Sequence, residues 1–129
     1  MNRLVQEWKD DAHAVAHLGA IDASLWSLRA ALDAAGRDIN ADPIGTPGSR
    51  QQRALRVRHV VDATVGEILD RITRALGPGP LADTPDLHRH IVETNLYRRQ
   101  SHAERDLETL GHIAEQSWAN ASTGESAAG

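Results

Sequence analysis

The sequence predicts an all-α protein, an antiparallel bundle of three long helices. Alanine, the strongest helix former, supplies 20 of the 129 residues. Aromatic residues make up only 3% of the chain, fewer than an ordinary β-sandwich uses. Apolar residues recur at spacings of three, four or seven in three long segments, which is typical of amphipathic helices. We therefore expect a one-domain bundle over residues 1–119 and a tail over 120–129.

The first predicted helix spans about residues 4–38. Its apolar stripe consists of Leu4, Trp8, Val15, Leu18, Ile21, Leu25, Leu28 and Leu32. Gly36 is a candidate stop. The stretch from Asn40 to Gly48 contains two prolines and two glycines, which cannot continue a helix. We expect a surface loop there.

The second predicted helix spans about residues 50–76. Ser49 and Gln52 have the spacing of a capping box, in which each side chain satisfies a free backbone amide. The apolar face consists of Leu55, Val57, Val60, Val61, Thr64, Ile68, Leu69, Ile72 and Leu76. The sequence from Gly77 to Pro80 ends the helix, because glycine suits the position after a helix and proline cannot extend it.

The third predicted helix spans about residues 85–118, with Thr84 as N-cap and Pro85 at its first position. Its middle, from Thr94 to Ser101, is polar and weakly periodic, which allows a break near Asn95. The segment after it, residues 120–129, is small and polar, so we expect it to be disordered.

Composition excludes several classes of function. The chain has no cysteine, which rules out disulfides, thiolate nucleophiles, iron–sulfur clusters and cysteine–zinc sites. Its net charge of −4 argues against nucleic acid or an anionic membrane as partner. The sequence contains no run of 18 apolar residues, which is the length needed to span a membrane. Its N-terminal residues lack the apolar core of a signal peptide. We expect a cytoplasmic protein.

The predicted core is thin. Many small residues lie on the first helix, and each contributes little apolar area on burial. They are Ala16, Gly19, Ala20, Ala23, Ala30 and Ala31. We therefore expect a homodimer or a partner subunit to complete the core.

Three segments resemble the C-terminal helical domain of actinobacterial acyl-CoA dehydrogenases. They are His17 to Trp26, Arg74 to Leu81, and Tyr97 to Gly111, the last with an unusual Arg-Gln-Ser-His-Ala-Glu-Arg-Asp-Leu run. The resemblance covers about residues 8–115. Complete members of that family have an N-terminal helical domain, a middle β-domain and a C-terminal four-helix bundle. They bind FAD between subunits, and a glutamate removes the α-proton of an acyl-CoA.

The chain departs from this family pattern in ways that bear on activity. It has no room for the first two domains. The resemblance places Gly77 and Gly79 near the FAD adenosine, and it places Arg98 where the family has its glutamate. A guanidinium cannot act as that base. The resemblance therefore implies a truncated, dehydrogenase-like small subunit, or a bundle repurposed to bind a small molecule or an acyl thioester. We expect no tightly bound cofactor; FAD would require a partner, such as a larger dehydrogenase-like subunit, or an oligomer.

Two residue pairs suggest chemistry. His102 and Asp106 lie one helical turn apart, so the carboxylate could orient the imidazole as an acid or base. This pair, with Tyr97 lining a pocket, would serve a stand-alone, flavin-independent enzyme of a specialised biosynthetic pathway. The competing interpretation is an exposed ion pair. His13 and His17 could join His102 and Asp106 around a metal, but no complete ligand motif is present, so we predict no metal site.

The start of the second helix is basic. Arg53 and Arg56 could hold a phosphate of coenzyme A or FAD, although a solvated face is the more common meaning of such a pattern. A third hypothesis for the whole chain is an assembly protein that completes a partner's bundle, with Trp8 and Trp26 as core or interface anchors. Such a protein would expose a wide apolar stripe when alone.

Overall fold

The computed structural model describes residues 11–99 and 103–126, and those ranges are helical without any strand. The helices are α1 (Ala12–Ala41), α2 (Pro47–Leu76), α3 (Pro78–Asp83), α4 (Pro85–Arg99) and α5 (Ala103–Ser126). The prediction of an all-α protein is confirmed. The described part of the third predicted helix comprises two helices, α4 and α5, and the three-helix arrangement stays a prediction.

Helix α1 begins at an N-cap that the sequence analysis did not place. The side chain of Asp11 accepts a hydrogen bond from the His13 backbone amide at 2.9 Å. Gly36 does not end the helix, which continues to Ala41 because its neighbours are good helix formers. Residues 4–10 of the predicted helix, including Trp8, lie outside the described residues.

The connection between α1 and α2 is shorter than the predicted loop. Asp42 accepts from the Gly45 amide at 2.9 Å, and Gly45 has a φ of 54°, which suits glycine. The capping box lies one turn earlier than predicted. Thr46 Oγ1 accepts from the Ser49 amide, and Ser49 Oγ accepts from the Thr46 amide, both at 3.1 Å. Pro47 occupies the first turn, where no amide is needed.

The later helices also differ from the predicted bounds. Helix α2 ends at Leu76, as predicted, and Gly77 follows with a φ of 68°. Helix α4 continues through Asn95 to Arg99, so the predicted break near Asn95 is wrong; residues 100–102 lie outside the described residues. Helix α5 extends to Ser126 through much of the predicted tail.

Helix α2 is the centre of the structure. Helix α1 packs along one side of it, and α4 and α5 contact it from another. Ser24 and Ser27 lie across from Thr64, whereas Ala31 lies across from Val57 and Val60, so α1 and α2 run antiparallel. The two helices form a hairpin of 30 residues each.

The chain buries little of its surface. Among the described residues only Ala14, Leu55 and Leu76 are buried hydrophobic residues. The accessible surface is 9755 Å² for a 14.0 kDa chain. A compact monomer of that mass exposes about 6,700 Å². The described helices therefore form an open layer without a closed core among them.

The reciprocal cap at the start of α2 predicts a measurable cost of its removal. We expect Thr46→Ala to lower the free energy of unfolding by about 1 kcal/mol, because it leaves a helix-terminal amide without an acceptor. Thr73→Ala is the matched control, since the Thr73 hydroxyl donates to the Leu69 carbonyl within α2 and caps no helix end. Urea unfolding followed by circular dichroism measures both. Equal effects of the two substitutions would contradict a stabilising capping box.

Candidate functional site

A wide polar cavity of about 970 Å³ lies where α4 and α5 meet α2. The residues that line it share a polar or charged character, except for one alanine. They are Asp62, Asn95, Arg98, Arg99, Ala103, Glu104, Arg105 and Glu108. Three carboxylates and three guanidinium groups line it, so it carries no strong excess of one charge.

Arg98 anchors this cavity to α2. Its Nε donates to Asp62 Oδ1 at 3.0 Å, and its Nη1 donates to Asn95 Oδ1 at 3.3 Å. The guanidinium lies directly over Gly66, where an added Cβ would come within 2.7 Å of Arg98 Cζ. Because Gly66 has no side chain, the Arg98 guanidinium can occupy the space above it and form this ion pair.

The environment of Arg98 bears on the resemblance to dehydrogenases. The resemblance places Arg98 at the position of the family's glutamate, and this placement stays a prediction. In the structure the Arg98 guanidinium forms an ion pair with Asp62 of α2. This pair holds α4 against α2.

The predicted acid–base pair is only partly visible. His102 lies outside the described residues. Asp106, which was expected to orient it, instead accepts from Arg58 Nη1 at 2.6 Å, and this bond ties α5 to α2. Tyr97 is 79% exposed. The hypothesis of a His102–Asp106 catalytic pair therefore stays a prediction, with its carboxylate already engaged by Arg58.

Sequence reasoning missed Arg58, Asp62 and Gly66 as site residues. A signal was present: Arg58 and Asp62 lie one turn apart on α2, and their charges are opposite to those of Asp106 and Arg98. Helix pairing was needed to recognise it, because the partners are 36 and 48 positions away in the chain.

The predicted cofactor residues do not form one site. Arg53 and Arg56 line a shallow groove against α1, beside Asp38. Gly77 and Gly79 lie at the other end of α2, 24 residues or about 36 Å away from Arg53. An added Cβ at either glycine would meet nothing within 4 Å. Within one chain, these residues cannot together hold FAD.

The alternative metal site is not assembled either. His17 lies beyond Ala20 toward the Leu76 end of α2, whereas Asp106 contacts Arg58 near the other end. Among the described residues no cluster of three potential ligands is present. Nδ1 of His17 is buried and has no hydrogen-bond partner within the described part of the chain.

Helix α1 carries two apolar stripes. The first faces α2 and consists of Ala14, His17, Ile21, Ser24, Leu28, Ala31 and Ala35, which are buried or half-buried. The second is exposed and consists of Val15, Leu18, Leu25, Leu32 and Ile39, the last four spaced by seven residues. Leu25 is 37% exposed and the neighbouring Trp26 is 72% exposed. The described helices leave this second stripe uncovered.

Helix α2 contributes to the same surface. Val61, Val65 and Ile72 are half-buried and lie about a quarter turn from the α1-facing side of α2. The exposed stripe of α1 likewise lies about a quarter turn from the α2-facing side of α1, in the same rotational sense when each helix is viewed along its own direction. Because the two helices are antiparallel, the apolar residues of both lie on the same side of the hairpin. We call this surface, made of Leu18, Leu25, Leu32, Val61, Val65 and Ile72, the apolar hairpin face.

The opposite side of the hairpin is different in character. It consists of small residues of α1 and polar residues of α2: Ala16, Ala23, Ala30, His59, Asp70 and Arg74. All are exposed. The hairpin is thus amphipathic, with one surface suited to water and one suited to protein.

Comparisons with known proteins return nothing. No protein-family model matches the sequence, and no curated protein or solved structure is found to be similar to it. The resemblance to acyl-CoA dehydrogenases therefore rests on the three segments alone. The described helices include none with the length and apolar character of a membrane span.

We expect the interaction free energy of the Asp62–Arg98 ion pair to exceed that of a solvent-exposed ion pair within α2. A double-mutant cycle with Asp62→Ala and Arg98→Ala should give a coupling of about 1 kcal/mol, because both side chains are largely screened from water.

The matched control is Asp70 and Arg74, which form an exposed pair at 3.1 Å within α2. Their cycle should give about 0.3 kcal/mol. Denaturant unfolding measures both cycles. Equal coupling energies would show that Arg98 does not hold α4 in place.

Proposed function

We propose that this chain is a helical assembly subunit, whose apolar hairpin face is covered by another protein surface. The observation that carries the proposal is the second apolar stripe of α1, continuous with Val61, Val65 and Ile72 of α2. Exposed contiguous apolar patches on stable proteins mark interaction sites. Of the three functions considered from the sequence, the assembly protein was expected to show such a stripe.

Energetics support the same proposal. Full burial of one leucine side chain contributes about 1.5–3 kcal/mol. Leu18, Leu25 and Leu32 are 42%, 37% and 44% exposed, so burial of their remaining surface would together contribute about 2–4 kcal/mol on association. That compares with the 5–15 kcal/mol that stabilises a typical domain. The described helices contain few buried residues, which leaves this contribution to be made by contact with a partner.

The ion pairs support a scaffolding function of the remaining helices. Arg58–Asp106 and Arg98–Asp62 hold α5 and α4 on the side of α2 away from α1. Both pairs leave the apolar hairpin face open. We assign these residues to positioning of the helices, which is what their contacts support.

The resemblance to dehydrogenases is compatible with this proposal. A chain similar to a dehydrogenase C-terminal bundle would pack against other helices, as a small subunit of a larger dehydrogenase-like protein. FAD or an acyl-CoA would then be bound by the assembly. We propose a cytoplasmic location, in keeping with a chain that has no cysteine.

A second candidate function is the binding of a small anionic molecule, such as an acyl thioester, in the polar cavity. Arg99 and Arg105 supply guanidinium groups beside a volume of about 970 Å³. Glu104 and Glu108 line the same cavity and oppose an anion, which makes this the weaker candidate.

The assembly proposal predicts a face-specific contact in cells. A photoreactive amino acid in place of Leu25 should crosslink the chain to another protein molecule, because this position lies in the centre of the apolar hairpin face. The matched control is the same substitution at Ala30, on the opposite side of α1. Mass spectrometry of the products, made in the organism that encodes the chain, identifies the partner.

The proposal requires crosslinking at position 25 and little at position 30. Crosslinks of equal yield at both positions, or none at either, would contradict an apolar hairpin face that is covered by protein.

A further inference from the structure

We propose that the occupant of the apolar hairpin face is a second copy of this chain. Two hairpins would pack face to face, with α1 against α1 and α2 against α2 of the second copy, all neighbours antiparallel. The product is a four-helix core that each chain provides by half. This inference rests on the proposed function and names its partner.

The face is complementary to itself. A two-fold dimer brings one patch against its own copy, so the patch must match after rotation. A two-fold axis at the level of Leu25, perpendicular to the helices and within the interface, brings Leu18 to the level of Leu32 of the second copy. On α2 the same axis passes near Val65 and brings Val61 to the level of Leu69 of the second copy, about 4.5 Å along the helix from Ile72. Apolar residues then meet apolar residues on both helices.

Charges at the rim fit the same register. Asp22 and Arg29 are exposed, are seven residues apart, and flank Leu25 on the side of α1 away from α2. The rotation that superposes the apolar residues brings Arg29 within about one residue, or 1.5 Å along the helix axis, of the level of Asp22 in the second copy. Each dimer would thus contain two opposite-charge pairs beside the leucine stripe, as antiparallel helix pairs commonly do.

The length of the face agrees with a dimer. Obligate dimers bury about 1,000–2,500 Å² on each subunit. Two 30-residue helices offer a face about 45 Å long, which is sufficient for such an interface. Antiparallel pairing of α1 with its copy also places opposite helix dipole ends together.

Sedimentation equilibrium of the purified full chain tests the inference. We expect a dimer at micromolar concentration. Leu25→Glu should weaken dimerisation by at least about tenfold, because it buries an unpaired charge in the interface. The control variant Ala16→Glu/Ala30→Glu adds charge to the opposite side of α1 and should leave the dissociation constant unchanged.

Exchange of the charges of Asp22 and Arg29 tests the antiparallel register of the two α1 helices without changing an apolar residue of the interface. Asp22→Arg and Arg29→Asp should each weaken the dimer about three- to tenfold, and the double variant should restore it. A chain that remains monomeric at all concentrations would overturn the inference. A double variant no tighter than the single variants would also overturn it, because the proposed antiparallel pairing would then be wrong.

Different results would contradict the proposed assembly function and the proposed dimer. A monomeric chain whose position 25 crosslinks to a different protein in cells contradicts the second copy but supports the assembly function. A chain whose position 25 crosslinks to nothing contradicts both.

Discussion

The two apolar stripes of α1 are the constraint on which the rest of the structure depends. A helix with one neighbour needs one apolar stripe, and α1 contacts only α2 to any extent among the described helices. The stripe through Ile21 and Leu28 is satisfied within the chain, whereas the stripe through Leu18, Leu25 and Leu32 is exposed. A helix of this kind belongs between two neighbours. Because α1 has two apolar stripes but only one neighbouring helix, the described helices form an open layer with a large accessible surface. The proposed assembly would cover the second stripe.

Helix α2 determines where the other helices lie. Its α1-facing side is apolar, and its opposite side carries Arg58 and Asp62, which pair with α5 and α4. Gly66 makes room for the guanidinium of Arg98 in the same region. These charged contacts are individually modest, but they place α4 and α5 away from the apolar hairpin face. Specific polar contacts thus orient the layer, and apolar area remains for association.

Local patterns in the sequence predict the helices better than they predict the site. Periodicity and the glycine after Leu76 identify the end of α2, and they place its start within three residues of Pro47, because backbone preferences are local. The capping box begins at Thr46, and Ser49, which was predicted as its first residue, is its last, because both hydroxyl residues suit either end of the motif. The pair of Arg98 with Asp62 could not be derived from the sequence, since it depends on which helices pack together. Likewise, spacing alone does not show that Arg53 and Gly77 lie at opposite ends of one helix.

The central claim is that association supplies the stability that the single chain lacks. The most direct test is the midpoint of thermal unfolding, measured by circular dichroism over a hundredfold range of concentration. We expect a midpoint that rises with protein concentration, because folding and association are linked. A sharp transition at a midpoint that is independent of concentration would contradict it. That result would show that one chain, with its leucine stripe exposed, is stable by itself.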